Sequence, residues 1–454
     1  MRNLHNNRLY SGSIRLIVFG FITFVTASFS GFSQERMSLY DCLNRSFQRS
    51  KDAAMVKVKR SSADSYLKQE RDLFLPSLSI TNQHNLSVGR VLDPTTYQFI
   101  TNRTVHDMSA VIGGSLTLFS GLERVYKVKK AELNLLSAEL EEARTKNELS
   151  LEVTRLFLEI LMDEKTIEIC EKKVAQLKNQ EELIAQRVAL LASTTGDLLN
   201  VQADITRSEI ELSNARNELN LDKVAMCELL DIDDWKSFDV VFDEGEDIEP
   251  RLWNVTDVLL AAQRLPQIRQ KEVAIQQAKR DIQIMTSAYW PTVTINAGYG
   301  STYSNARVKT TGEEYVFYDQ LRDNMSAYVT ASLSIPILSA ITVSHSVKAK
   351  KNAAELSELE LQHTLIALDK EVKQAVLQTN TAYVKYNLLA KEVDKGTEAL
   401  RQTEAKYNAG AATYYDYQIA MGNLFQAQAE RLRAHYEYIY WTKIMDYYSG
   451  NSLL

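Results

Sequence analysis

The chain has 454 residues, of which 45% are hydrophobic and 24% charged, with a formal net charge of −6 and a pI near 5.7. Such a balance offers no basic field to a phosphate backbone, which argues against nucleic acid as a partner. Only six prolines occur, at 76, 94, 250, 266, 291 and 336, so 121–249 and 337–454 are free of helix breakers.

The N-terminus reads as a secretory signal over residues 1–33. Arg2, Arg8 and Arg15 precede the apolar run Leu16 to Val25, and Gly31 and Ser33 are placed for cleavage before Gln34. The run is shorter than the roughly 20 residues that span a bilayer. Cys42 lies well past it, in LYDC, without the context of a lipid anchor. Residues 34–75 are then predicted to be helical, with a helix over 51–73.

Residues 76–120 read as a first pair of strands. Leu78, Ile80, Leu86 and Val88 fall on one face of the first strand, interrupted by Asn82 and His84. Met108, Ala110, Ile112, Leu116 and Leu118 fall on one face of the second. A long helical hairpin follows over 121–230, its arms at about 122–192 and 197–230. Leu149, Val153, Leu156 and Ile160 have coiled-coil spacing, as do Val201, Ile205, Ser208, Leu212, Ala215 and Leu219, and both series read as core. The acidic stretch 231–257 reads as a solvated linker, since its acids lack a calcium-loop arrangement.

The same order then recurs. Helices over 258–290 lead to strands over 291–338, where Val293, Ile295, Ala297, Tyr299 and Tyr303 alternate, then Met325, Ala327, Val329, Ala331, Leu333 and Ile335. A second hairpin occupies 339–448, with arms at about 341–408 and 414–448, and 449–454 form a tail. LPSLSITNQHNLSVGR (75–90) matches WPTVTINAGYGSTYSN (290–305). Pro76 maps to Pro291 at an offset of 215, and Phe119 to Leu338 and Asp197 to Asp416 at 219, so the difference falls between the paired strands.

Each long arm would extend on the order of 100 Å. The returning arms are half as long, so the helices at 51–73 and 266–289 are expected to stack end to end with them, leaving irregular structure at the middle of the helical body. Strands of about ten residues, apolar on one face and rich in Ser, Thr, Asn and Gly on the other, suit lipid-facing barrel strands, and the same alternation also suits one face of a soluble sandwich. A barrel needs about eight, so four per chain requires several chains, and three would supply twelve.

These features resemble the TolC-like outer-membrane efflux factors. The likeness rests on the LPSLSI and WPTVTI strand starts, LTLFSG at 116–121, VLLAAQRLPQIRQKEVAIQQAK at 258–279 and KYNAGAATYYDY at 406–417, and it covers about 37–448. The resemblance implies a mainly α fold with a β-barrel sector, in which the duplicated unit of helix, two strands and long hairpin assembles as a homotrimer. A twelve-stranded outer-membrane barrel, in contact with lipid, would continue into a periplasmic α-helical barrel. It implies no enzyme and no cofactor. The protein would be an exit duct for small molecules or secreted polypeptides, partnered by a periplasmic adaptor (membrane fusion) protein and an inner-membrane transporter of RND, ABC or MFS type.

The resemblance places the gate at the turns 191–197 and 410–416. Asp416 and Asp197 would line the constriction with Tyr414, Tyr415 and Tyr417. Arg187, Leu191, Ser193, Thr194, Lys406, Gly410 and Ala411 would form the tips that meet the adaptor. An Asp at such a position also serves as an ordinary helix cap. Two departures stand out: Ile419 replaces a second acid after Asp416, and Leu191 stands where the other tip has Gly410. The cysteines, Cys42, Cys170 and Cys227, read as small buried residues, and neither metal-ligand spacing nor a catalytic triad can be drawn from the six histidines. Two alternatives remain at this level: a secreted periplasmic adaptor, which should carry one hairpin between lipoyl-like halves, and a structural coiled coil, which leaves the strands unexplained. The cargo stays open.

Overall fold

The computed structural model describes residues 35–92, 97–241, 250–307, 309, 313 and 315–451. The signal at 1–33, Pro94 and the most acidic part of the linker, 242–249, lie outside the described residues.

Two copies of one unit are evident. In the first, α2 (Lys51–Asp72) leads to β2 (Ser77–Leu92) and β3 (Phe99–Ser120), then to α3 (Glu123–Ala189), 67 residues long, and α4 (Thr195–Leu230), 36 residues long. In the second, α6 (Pro266–Ser287) leads to β5 (Thr292–Ser304) and β6 (Ser326–Ser334), then to α8 (Ser339–Asn408), 70 residues long, and α9 (Tyr414–Tyr448), 35 residues long. The matching helices have matching lengths because the breakers and caps recur at matching places.

The four strands form one antiparallel sheet in the order β2-β3-β5-β6. Its register explains the alternating sequence. Ile80 lies opposite Ile112, Ile112 opposite Tyr299, and Tyr299 opposite Ala327; Leu116 lies opposite Ile295, and Ile295 opposite Ala331. Directly opposed residues share a face, so the apolar positions of all four strands form one surface. Leu78, Ile80 and Val88 are 77–78% exposed on it. The other face carries Ser79, Thr81, Ser109, Ser115, Asn296, Thr302, Thr330 and Ser332. No described helix is long and apolar enough to cross a membrane.

β6 stops opposite Gly300, four residues short of the end of β5. A short helix that the sequence reading missed, α7 (Phe317–Asp323), covers the remaining edge. Ser304 N–H donates to Gln320 Oε1 (3.0 Å), Gln320 Nε2 donates back to Ser304 C=O (2.8 Å), and Asn324 Nδ2 donates to Thr302 C=O (2.6 Å). These bonds satisfy backbone groups that further residues of β6, ahead of Ser326, would otherwise have paired.

The shorter arms are completed as expected. Lys51 Nζ lies 2.9 Å from Asp231 Oδ1, and Arg45 Nε donates to Leu230 C=O at 3.2 Å, which places the start of α2 against the end of α4. In the second copy Tyr447 OH donates to Gln267 Oε1 at 3.0 Å, joining α9 to α6. The waist between them differs from the irregular structure expected there. A short strand β1 (Glu35–Met37) pairs in parallel with β4 (Phe238–Val240), and α1 (Leu39–Arg49) and α5 (Val255–Ala262) pack beside the hairpins. The stretch after 231 is therefore not wholly a solvated linker: Phe238 and Val240 are buried, and Asp239 bridges Arg36 (3.4 Å) and Lys223 (3.3 Å).

Three apolar cores hold the helical body. One at the waist joins Cys42, Leu43, Val153, Phe157, Ile160, Cys227 and Leu230. A second lies near the hairpin tips, and a third joins α5, α6, α8 and α9 through Val258, Ile268, Val372 and Met445. Burying a side chain such as Phe157 or Ile160 stabilises the fold by about 1.5–3 kcal/mol. Of the predicted seams, Val153, Leu156 and Ile160 lie in the waist core and Val201 and Ile205 in the tip core, while Leu149, Ser208 and Ala215 are buried outside the three cores and Leu212 is half-buried. Cys42 and Cys227 are buried as expected, while Cys170 is only half-buried.

Candidate functional site

Both hairpins turn by the same local chemistry. At the end of α3, Ala192 N–H bonds to Arg187 C=O (2.7 Å) and Leu191 N–H to Val188 C=O (3.0 Å). At the end of α8, Ala411 N–H bonds to Lys406 C=O (2.8 Å) and Gly410 N–H to Tyr407 C=O (3.1 Å). Each turn needs one residue in the left-handed region to satisfy these last carbonyls. Gly410 takes it without cost at φ 73°, and Leu191 takes it at φ 59° although it carries a side chain. The glycine missing from the first tip has thus left the turn geometry intact.

The returning helices start with matching capping boxes. Thr413 Oγ1 accepts from Asp416 N–H (3.2 Å), while Thr413 donates its N–H (2.9 Å) and its hydroxyl (2.7 Å) to Asp416 Oδ2. In the first copy Thr194 and Asp197 repeat the arrangement, and Ser193 adds a hydroxyl at 3.0 Å. Asp416 and Asp197 therefore both cap helices, and the threonines supply the reciprocal oxygen. The bonds from Thr413 hold the Asp416 carboxyl below its ordinary pKa. Burial opposes ionisation of Asp197, but its bonds to Thr194 and Ser193 hold it low as well. Capping leaves Asp416 exposed and charged at the turn.

The three tyrosines are not equivalent. Tyr414 is 4% exposed and Tyr417 1% exposed, packed with Tyr407 in the tip core, whereas Tyr415 is 67% exposed. Tyr414 OH donates to Asp204 Oδ2 (3.2 Å) and Gln176 Nε2 donates to Tyr417 OH (2.9 Å), which ties α9 to both arms of the first hairpin. Burial first, then the Asp204 charge, raises the pKa of the Tyr414 phenol and keeps it neutral. Within the protomer, two of the tyrosines expected to narrow the pore are structural rings; Tyr415 alone of the three presents its ring outward.

Arg187 also has a role that sequence spacing did not reveal. Its Nη2 donates to Asn408 Oδ1 at 2.9 Å and its guanidinium lies 4.9 Å from the Tyr407 ring centroid. One tip thereby grips the other. Tyr407 and Asn408 belong to the KYNAGAATYYDY segment, but nothing in the sequence links them to a residue more than 200 positions earlier. Lys406, Gly410, Ala411, Leu191 and Thr194 are exposed, and Ser193 is half-buried.

A sheet apolar on one side and polar on the other, continued by two long hairpins with closely matched tips, suits a membrane duct. The family profile described as outer membrane efflux protein matches residues 42–230 and 259–439, and the chain belongs to that family. It is an outer-membrane exit duct with a large periplasmic helical part. The chain is 21% identical to the outer membrane protein TolC of Vibrio cholerae serotype O1 over 406 residues, 88% of each chain. Its fold is similar to that of the outer membrane protein VceC of Vibrio cholerae (TM-score 0.76, 16% identity, 92% of this chain and 97% of that one). It is likewise similar to the CmeC outer membrane channel of Campylobacter jejuni (TM-score 0.78, 14% identity, 91% of this chain and 85% of that one).

Proposed function

We propose that three copies of this chain form one duct, that it receives cargo from a periplasmic adaptor and an inner-membrane transporter, and that its gate lies at the two hairpin tips. The observation that carries the reading is the sheet: one apolar face runs across all four strands, while the outer edges of β2 and β6 have no strand partner among the described residues. Unpaired edges are untenable in lipid. Pairing β6 of one copy with β2 of the next closes a twelve-stranded barrel, and the polar face becomes its lumen. The hairpins then converge below, bringing three copies of Asp416 and Tyr415 toward the axis. Converging carboxylates favour cations. The exposed surfaces around Leu191, Ser193 and Thr194 and around Lys406, Gly410 and Ala411 serve as adaptor contacts.

The test is the protein mass of the particle that detergent releases from isolated outer membranes, corrected for bound detergent. Three chains are expected. A monomeric particle, or one released without detergent, overturns the trimeric duct.

A further inference from the structure

A second group of titratable side chains lies away from the tips, where α3 and α4 pack beside the waist core. Asp163, on α3, is 6% exposed, and no donor reaches its Oδ2. Asp222, half-buried on the packed helix α4, is near enough for its charge to act on Asp163. Glu159 and Glu218, one turn earlier on the same two helices, add negative charge. The facing cation among the described residues, Arg155, is held by Glu152 (2.6 Å) and by Glu159. Lys223, next to Asp222 in sequence, turns to Asp239 (3.3 Å) and Glu164 (3.5 Å). From α9, Tyr440 faces Arg155, Glu152 and Glu159.

Two neighbouring carboxyl groups, one of them buried, cannot both be ionised without strong repulsion. A proton between them turns the repulsion into a hydrogen bond, with Asp163 donating to Asp222. Among the described residues no set of three His, Cys, Asp or Glu side chains is arranged to hold a metal ion. We propose that Asp163 and Asp222 form a proton-binding pair, and that occupancy by this one proton sets how firmly α4 docks on α3, making the first hairpin sensitive to pH.

Burial foremost, then the charges of Asp222, Glu218 and Glu159, pushes Asp163 up to about 7. The folded hairpin therefore binds the proton more tightly than the unfolded chain does. Its stability is greatest at acid pH and is lost as pH rises from the ordinary carboxylate range through about 7. The two acids titrate as a unit, so the midpoint belongs to the pair.

The experiment uses the full-length protein in detergent, across about pH 5 to about pH 9, a range that brackets the pair. Infrared spectroscopy follows the carbonyl stretch of protonated carboxylic acid. Hydrogen exchange, corrected for its intrinsic pH dependence, follows amides of 155–165 and 218–226. The wild type is expected to lose a protonated-acid band with a midpoint near pH 7, and to lose protection over the same range by up to about tenfold per pH unit. Asp163→Asn should lack the band and show protection that is flat with pH, because the amide donates to Asp222 permanently. Asp222→Asn, which removes the like charge, should move the midpoint down. A wild type with no such band, a band unchanged in Asp163→Asn, or protection that responds to calcium or magnesium rather than to pH each overturns the proposal. If Asp163→Asn fails to fold, the wild-type titration and the Asp222→Asn midpoint still decide it.

Discussion

Leu191 and Gly410 share a left-handed backbone conformation, φ 59° and 73°, at matching points of the two hairpin turns. Leu191 is 94% exposed, so no packing compensates for its conformation. A side chain in this region costs about 1–2 kcal/mol, partly offset because glycine gains more freedom in the unfolded chain. Leu191→Gly should therefore stabilise the first turn by up to about 1 kcal/mol. Gly410→Ala should weaken the second turn by about as much. Exchange protection of the Ala192 and Ala411 amides measures both changes, and slower opening is expected only in Leu191→Gly.

Asp416 and Thr413 separate charge from capping. Thr413→Ala removes the N-cap oxygen at a cost of about 1 kcal/mol and should fray the first turn of α9 while leaving the carboxylate in place. Asp416→Asn removes the charge. In planar-bilayer recordings cation preference should fall with Asp416→Asn and survive Thr413→Ala. Because the Thr413 bonds depress the Asp416 pKa, the wild-type preference should persist as pH falls through the ordinary carboxylate range and vanish only below it.

Arg187 holds the two tips together through Asn408 and the face of Tyr407. Arg187→Ala removes both contacts, worth about 1–2 kcal/mol in sum at a partly exposed site, and should raise the resting conductance. Arg187→Lys keeps the charge but not the planar stack or the fork, so an intermediate conductance is expected. Equal conductance in all three proteins would show that the tips are held elsewhere.

Gly121 sits at φ 63° where β3 turns into α3, and a Cβ there would lie 2.4 Å from Ser287 C=O and 2.8 Å from Trp290 Cβ. Gly121→Ala must push α3 away from the end of α6, at the level where the helices meet the sheet. A reduced yield of the assembled particle in the outer membrane is expected, with the helical content of the protein that does assemble unchanged by circular dichroism.

Much of this architecture was legible because it rests on periodic signals. Alternation at Val293, Ile295 and Ala297 encodes a two-faced strand, and proline placement together with the capping acids Asp197 and Asp416 marks helix limits. The waist was not legible in that way. A strand as short as β4 has no period to read, and its apolar residues, Phe238 and Val240, sit among acids that suggested solvent. At the tips the polar positions could be named, but burial could not be assigned to them. Tyr414, Tyr415 and Tyr417 look alike in sequence, and only packing against Asp204 and Gln176 of the other hairpin draws two of them inward. The grip of Arg187 on Tyr407 and Asn408 was hidden for the same reason: it depends on how two distant hairpins lie side by side.

Each protomer has one uninterrupted rod per repeat and one jointed rod beside it. α3 runs 67 residues without a break, while its neighbour is α4 butted against α2 at Leu230 and Lys51, with α1 and β1 diverging at the seam. A rod and a jointed rail fastened together do not bend alike. α3 joins the first tip directly to β3, so a displacement of that tip is passed along its whole length, whereas the returning α4 hands over to α2 at the waist, where Lys51, Asp231, Arg45 and Leu230 hold the two pieces in line.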